Sequence, residues 1–266
     1  MTTEEMSTQR TRESNADPAR VYDYFIGGES GFDADRAAGA WINFQAPDLL
    51  AAMRANRAFL ARAVRWLTEQ GVDQFIDIGS GFPLSPNTHE TVLSAFPSGS
   101  VVYCDVDAAV GERTRELVAG QPGATFVQGD IRDPERLLAQ PAVRALVDSG
   151  RPVACVLAAV LHFVPEEADP ARITAVLRDA LPPGSYLVVS HVAGDIPWDD
   201  RNSTEALRRA TEEMYPRTRS QFTTFFGDFD LVEPGVGPAP RWHRADGAAD
   251  ENPDLPIYAG VARKAL

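Results

Sequence analysis

The sequence predicts an α/β protein built on a doubly wound, mostly parallel sheet. Two observations carry that expectation. From residue 72 onward short apolar runs alternate with capped helical segments, and the runs are apolar throughout, as strands covered on both faces must be. At 266 residues, with 44% apolar and 24% charged residues, the chain also has the length and composition to bury such a sheet.

Taken in order, residues 1 to 16 are polar and aperiodic and read as a disordered tail. Arg20 to Phe32 then sets Tyr22, Tyr24, Phe25 and Phe32 among Gly27, Gly28 and Gly31. That is too much glycine for a stable helix and too much aromatic surface to leave in water. The segment is therefore expected to fold down as a lid over a cleft, with Tyr22 and Phe25 touching a ligand; a structural clasp on the back of the sheet is the alternative. Leu49, Met53, Asn56, Leu60, Ala63 and Leu67 recur at helical spacing, and Gly71 ends the pattern, so Pro47 to Gln70 reads as one long amphipathic helix. Asn56 lies on its apolar stripe, either as a buried amide satisfied by neighbours or at a ligand. Residues 17–71 thus read as an N-terminal lid and helix, and 72–266 as the sheet domain.

Five strands follow at 74–79, 100–106, 124–130, 152–160 and 185–191, separated by helices at 87–95 and 108–119 and by helices opened by Asp133-Pro134 and Asp169-Pro170. Thr218 and Gln221 form a capping box for a short helix to Phe226. FDLVEPG and IYAGVARK, either side of a Pro- and Gly-rich stretch, supply two more strands. The expected sheet is seven-stranded, with a terminal antiparallel hairpin at its edge.

Composition excludes several functions. Lys plus Arg number 25 and Asp plus Glu 38, a formal charge of −13 that repels a phosphate backbone, so nucleic acid is not an expected substrate. The two cysteines, Cys104 and Cys155, sit in apolar runs, and no spacing of Cys or His suggests a metal site. With no secretory leader pattern and no apolar run approaching membrane-spanning length, the expected location is the cytoplasm, without a membrane.

In a doubly wound sheet ligands bind beyond the carboxyl ends of the strands. The first strand ends in D-I-G-S-G-F-P, where Gly79 and Gly81 let the backbone approach a ligand closely. A dinucleotide fingerprint needs a third glycine where this chain has Leu84, which disfavours a pyrophosphate cradle. Asp105 ends the second strand, placed to accept from both hydroxyls of a ribose, and Asp130 follows the third, placed to accept from an exocyclic amine.

The set D-I-G-S-G, V-Y-C-D-V-D, G-D-I-R-D and P-P-G-S-Y-L-V-V-S-H resembles the motifs of class I S-adenosylmethionine (SAM) dependent methyltransferases. More narrowly, R-V-Y-D-Y-F-I-G-G, A-N-R-A-F-L, F-I-D-I-G-S-G-F-P, N-T-H-E, V-L-H-F-V-P and Y-A-G-V-A-R-K resemble an actinobacterial family of such enzymes long catalogued as a domain of unknown function. The resemblance implies a Rossmann-like methyltransferase, with SAM as cofactor, S-adenosylhomocysteine as product and a small molecule as methyl acceptor. It places Gly79, Ser80 and Gly81 at the methionine end of SAM, with Asp77 holding the ammonium. Asp105 takes the ribose, Val106 packs on adenine, Asp130 and Ile131 hold the adenine edge, and Ala158 and Ala159 border the sulfonium.

Catalytic candidates are His162, where a general base would stand after the fourth strand, and Tyr24 on the lid. For His162 the competing role is to satisfy a loop carbonyl. His191 ends the fifth strand in the same manner, and His89 is a candidate to face a substrate. Glu90 reads as the far half of a capping box with Asn87, and Arg208, Arg209, Arg217 and Arg219 as a solvated helix face. A non-catalytic SAM-binding module and an NAD-dependent oxidoreductase are the alternatives; Leu84 speaks against the second.

Overall fold

The computed structural model describes residues 18–25, 27, 31–45, 47–197, 214–243 and 253–266. The tail to residue 16, Arg208 and Arg209 lie outside these residues, as do the side chains of Tyr22 and Phe25.

Three helices open the chain: α1 (Pro18–Phe25), α2 (Asp33–Gln45) and α3 (Pro47–Glu69). The expectation of an aperiodic lid over Arg20 to Phe32 is corrected here. Pro18 begins a helix that runs to Phe25; Gly27, at φ 91°, follows its end with its N–H donating to Tyr24 O at 3.2 Å, and Gly31 precedes α2. Arg20 Nε meets Asp35 Oδ2 at 2.8 Å in a buried ion pair, and the same oxygen accepts from Phe32 N at 2.7 Å, so α1 and α2 are tied together. α1 packs on α3 through Val21 and Leu49.

The sheet then alternates with helices: β1 (Gln74–Ile78), α4 (Thr88–Ala95), β2 (Ser100–Asp105), α5 (Ala108–Val118), β3 (Ala124–Gln128), α6 (Pro134–Leu138), α7 (Pro141–Val147), β4 (Ala154–Ala158), α8 (Pro170–Ala180) and β5 (Tyr186–Val192). Asp107, Asp133 and Asp169 each accept a backbone N–H at the start of the following helix, and Pro134 and Pro170 occupy its first turn. α9 (Arg219–Thr223) opens on the Thr218–Gln221 capping box. Three further strands are β6 (Asp230–Leu231), β7 (Gly237–Pro238) and β8 (Ile257–Arg263).

The strand order is β3-β2-β1-β4-β5-β8-β6, with β7 also paired to β8. β1 to β5 are parallel; β8 runs antiparallel to β5 over seven register pairs, Tyr186↔Arg263 to Val192↔Ile257. The sheet is therefore eight-stranded and mixed, not seven-stranded with a hairpin at its edge. β8 inserts between β5 and β6, and the extra strand β7 pairs with the other end of β8. A run as apolar as IYAGVA, buried from Ile257 to Ala262, cannot serve as a solvated edge.

Two cores lie on the two faces. Ile76, Ile78, Val102, Cys104, Cys155, Leu187 and Val189 pack with Phe222, Phe225 and Phe226 on one; Phe75, Val101, Tyr103, Val156 and Val188 pack with Phe59 and Leu67 of α3 on the other. Both cysteines are buried free thiols in this packing. Among the described residues no helix is long and apolar enough to cross a membrane.

Candidate active site

A cavity of about 430 Å³ opens beyond the carboxyl ends of the strands and is roofed by α1 and α3. The alternation of β1 turns Phe75 and Asp77 to the α3 face, so Asp77 is a carboxylate at a core position. Its Oδ2 accepts from Thr88 Oγ1 at 2.8 Å. Burial raises its pKa from 3.8 to about 6, opposed by that hydrogen bond and by the charge of Arg57.

The turn after β1 is hung on β2: Gly79 N and Ser80 N donate to Cys104 O at 2.8 and 3.1 Å. Gly79 has φ 71°, and a Cβ there would stand 2.5 Å from Val160 Cγ2, so the turn passes too close to the β4 loop for a side chain. Gly81, at φ 64°, has open space where its Cβ would be. Gly81 N donates to Asp105 Oδ2 at 2.9 Å, while Asp105 Oδ1 accepts from Asp107 N at 3.0 Å. The carboxylate expected to serve a ribose thus also fastens the glycine turn, and burial raises its pKa.

Val106 and Ile131 line the same cavity, and Val106 is 58% exposed. Asp130 lines it too, but both of its oxygens accept from Arg132, with contacts of 2.5 to 2.9 Å, and these hydrogen bonds hold its pKa below the usual carboxylate range. Ala158 and Ala159 border the opposite side. Ala159 has φ 58°, a conformation held by its N–H donating to Ser190 Oγ at 2.9 Å; Ser190 in turn donates to Asn56 Oδ1 at 2.5 Å. Asn56 is thus a satisfied buried amide, and it also lines the cavity.

His162 lines the cavity and is buried, with His191 edge-on at 5.5 Å between ring centroids. Its Nδ1 has no hydrogen-bond partner among the described residues, so it satisfies no loop carbonyl through that atom. Burial, reinforced by His191 and Arg217, holds its pKa well below the usual imidazole value. His191 is no base: its Nδ1 donates to Val192 O at 2.8 Å, Arg217 Nη1 donates to its Nε2 at 3.1 Å, and burial lowers its pKa to about 3.

Other expectations are corrected. Tyr24 is not on the cavity wall; its ring covers Gly39 of α2, where a Cβ would fall 2.3 Å from it, so it joins helices. His89 turns away from the cavity, its Nδ1 2.8 Å from Tyr103 OH. Arg217 is no solvated surface residue but 4% exposed beneath the β4 loop, donating to Leu161 O and Val164 O at 3.1 and 2.9 Å. Arg219 does lie at the surface. Glu90 is the capping partner expected, accepting from Asn87 N at 2.9 Å.

The cavity residues that had not been singled out include Asp23 of α1, Arg57 of α3 and Met214. Arg57 was within reach of sequence reasoning, since it lies one residue after Asn56 in the A-N-R-A-F-L motif, but its direction toward Asp77 was not. Among the described residues no cluster of ligands suits a metal ion.

A parallel sheet of order 3-2-1-4-5 with an antiparallel strand beyond, whose cleft ends in a glycine turn and successive acids, defines a class I methyltransferase-like α/β protein. Residues 4–265 match the model of a family described as S-adenosyl methyltransferase. A Thermobifida fusca YX protein assigned as a methyltransferase is 36% identical, over 95% of this chain and 96% of its own, with a TM-score of 0.88. A duf574 family protein from Streptomyces avermitilis is 38% identical, over 95% and 98%, with a TM-score of 0.86. The CurJ carbon methyltransferase, 16% identical over 87% of this chain and 68% of its own, shares the fold, with a TM-score of 0.52. No curated protein matches the chain. The chain belongs to the S-adenosyl methyltransferase family and is a SAM-dependent methyltransferase acting on an unspecified small molecule.

Proposed function

We propose that the cavity holds SAM over β1, β2 and β3, with the methyl group turned toward the β4 loop. The carrying observation is that Asp77 and Arg57, opposite charges, flank one open glycine turn. That pair matches the ammonium and carboxylate of a methionine head, and the buried Ser80 Oγ beside them, without a hydrogen-bond partner among the described residues, has bonding capacity to spare. Asp105 takes the ribose hydroxyls while keeping Gly81 and Asp107 in place. Val106 and Ile131 supply apolar surface to the adenine, and Asp130 accepts from its amine.

When bound, SAM supplies an electrophilic methyl carbon on a sulfonium. The residues' task is then to align an acceptor and keep water out. Ala158 and Ala159, fixed by Ser190, form the rigid border beside which that alignment is set. His162 takes part as a neutral imidazole; a ring held so far below neutral pH is poorly matched to take up a proton, and it serves by orienting the acceptor. The soluble small-molecule role and a cytoplasmic location accord with this reading.

Calorimetric titration with S-adenosylhomocysteine tests the arrangement. Asp105→Ala is expected to weaken binding by about 1.5 to 3 kcal/mol, because hydrogen bonds to a charged group and the glycine turn are both lost. Asp130→Ala is expected to cost less, because Arg132 already engages that carboxylate and water can replace it. Unchanged affinity in a folded Asp105→Ala protein, or the reverse order, would remove these roles.

A further inference from the structure

A second hollow, of about 490 Å³, lies beyond β3. Val106, Gly129 and Asp130 line both it and the cavity, so the two spaces meet where β2 and β3 end. Past that junction the described walls are Gln128 of β3, Asp133, Arg136 and Leu137 at and within α6, and Gln140 at the start of α7.

Gly129, in the G-D-I-R-D run, is a glycine that the fold itself does not require. Gly79 has a positive φ and Val160 against it; Gly129 has neither constraint. Its backbone lies outside the left-handed region, and a Cβ placed on it would find Leu137 Cδ1 at 3.5 Å, an ordinary van der Waals contact, with nothing nearer. Its N–H donates to Asp105 O at 3.0 Å, which any residue but proline could do. An alanine would fit, and it would cost the unfolded chain some of its freedom. What a side chain here would change is the hollow. Leu137 is on its wall, so a side chain built toward Leu137 stands where hollow and cavity join.

The adenine amine reaches the same place. Asp130 borders both spaces, so an amine donating to it sits at the junction. Val106, 58% exposed, does not close that edge. An amine bearing one substituent keeps one N–H for Asp130 and can carry the substituent onward, where side-chain amides, a carboxylate and a guanidinium offer donors and acceptors to a short polar chain.

We propose that this hollow is a subsite of the cofactor pocket that admits adenosyl ligands substituted on the adenine amine, and that Gly129 sets this specificity by leaving the junction open. The proposal rests on SAM lying over β1 to β3 with its amine at Asp130.

Calorimetric titration of the full-length protein with S-adenosylhomocysteine and with its N6-methyl and N6-(2-hydroxyethyl) derivatives tests it. The three dissociation constants are expected to agree within about threefold, whereas an amine enclosed by protein would reject added atoms. Gly129→Val is expected to weaken the hydroxyethyl derivative at least tenfold relative to S-adenosylhomocysteine measured in the same variant. Gln140→Trp, which fills the hollow from its far side, is expected to move that ratio in the same direction and supplies the reading if Gly129→Val does not fold. Derivatives that bind the unaltered protein tenfold or more weaker than S-adenosylhomocysteine, or a ratio unmoved in a folded variant, overturn the proposal while the cofactor reading stands. If S-adenosylhomocysteine itself fails to bind the unaltered protein, the cofactor reading fails and the subsite falls with it.

Discussion

At the end of β1 a carboxylate occupies a site where the fold would favour an apolar side chain, since Phe75 and Asp77 alternate onto the same buried face. Raised from 3.8 to about 6, Asp77 holds its proton more tightly folded than unfolded. Its contribution therefore favours the folded state fully below pH 4 and is lost as pH rises to 6. Above that, the buried charge costs about 2 to 3 kcal/mol until a cation meets it. Asp77→Asn, which keeps an oxygen for Thr88, is expected to raise the urea-unfolding free energy of the ligand-free protein at pH 8 by up to that amount, with the gain shrinking as pH falls from 6 toward 4. The same substitution should abolish tight S-adenosylhomocysteine binding. In the unaltered protein that affinity should fall about tenfold per pH unit below 6, as the proton competes with the ammonium. The two glycines beyond Asp77 separate close approach from backbone freedom. Gly79→Ala drives a Cβ into Val160 and should both unfold more readily and lose ligand, whereas Gly81→Ala meets open space and should cost only about 1 kcal/mol of stability, from its positive φ. Equal unfolding midpoints for the two variants would contradict that distinction. The acids were legible in the sequence because strand ends are where such sheets bind ligands. Arg217 and Tyr24 were not, because the carbonyls that one caps and the glycine that the other covers are distant in sequence and meet only through the fold.

Between elements, the cleft depends on α3 reaching across to β5. Asn56 on the apolar stripe of α3 accepts from Ser190 of β5, and Ser190 accepts from Ala159, so three elements set one turn at the cavity mouth. Ser190→Ala leaves Asn56 Oδ1 without this donor and Ala159 N with only the backbone oxygen of Ser190 at 3.2 Å. The expected loss is about 1 to 3 kcal/mol of unfolding free energy, measured in urea, accompanied by weaker S-adenosylhomocysteine binding. Full ligand affinity despite that loss would make the relay purely structural. The strands β1 to β5 and their capped helices were legible because each carries its own local signals: an apolar run, then Asp or Asn, then Pro or a helical stripe. α1, α2 and the placement of β8 were not. The glycines after α1 obscure a helix when the whole segment is read as one window, and nothing local to IYAGVARK says that it inserts between two strands rather than pairing at the edge. That outcome is decided by burial on both faces and by what β5 would otherwise leave unpaired.

Over the whole molecule, the cores divide the chain unequally. Among the described residues, neither of the two large clusters packed on the sheet contains one before Ala51, and the buried Arg20–Asp35 pair joins α1 to α2. Removing residues 1–45 therefore takes away both members of that ion pair together and uncovers Leu49 and Met53 without opening the sheet. The shortened protein should still unfold cooperatively, because α3 keeps Phe59, Ala63 and Leu67 in the core it shares with Trp242 and the sheet. The cavity, however, loses Asp23 and the cover of α1. S-adenosylhomocysteine, whose proposed partners all lie after residue 56, should bind with reduced affinity to a mouth now open to water. Circular dichroism, urea unfolding and titration with S-adenosylhomocysteine read this out together. An insoluble or unfolded product would make the N-terminal helices a clasp needed for folding, and a folded product that binds S-adenosylhomocysteine as the full chain does would show that they form no part of the site.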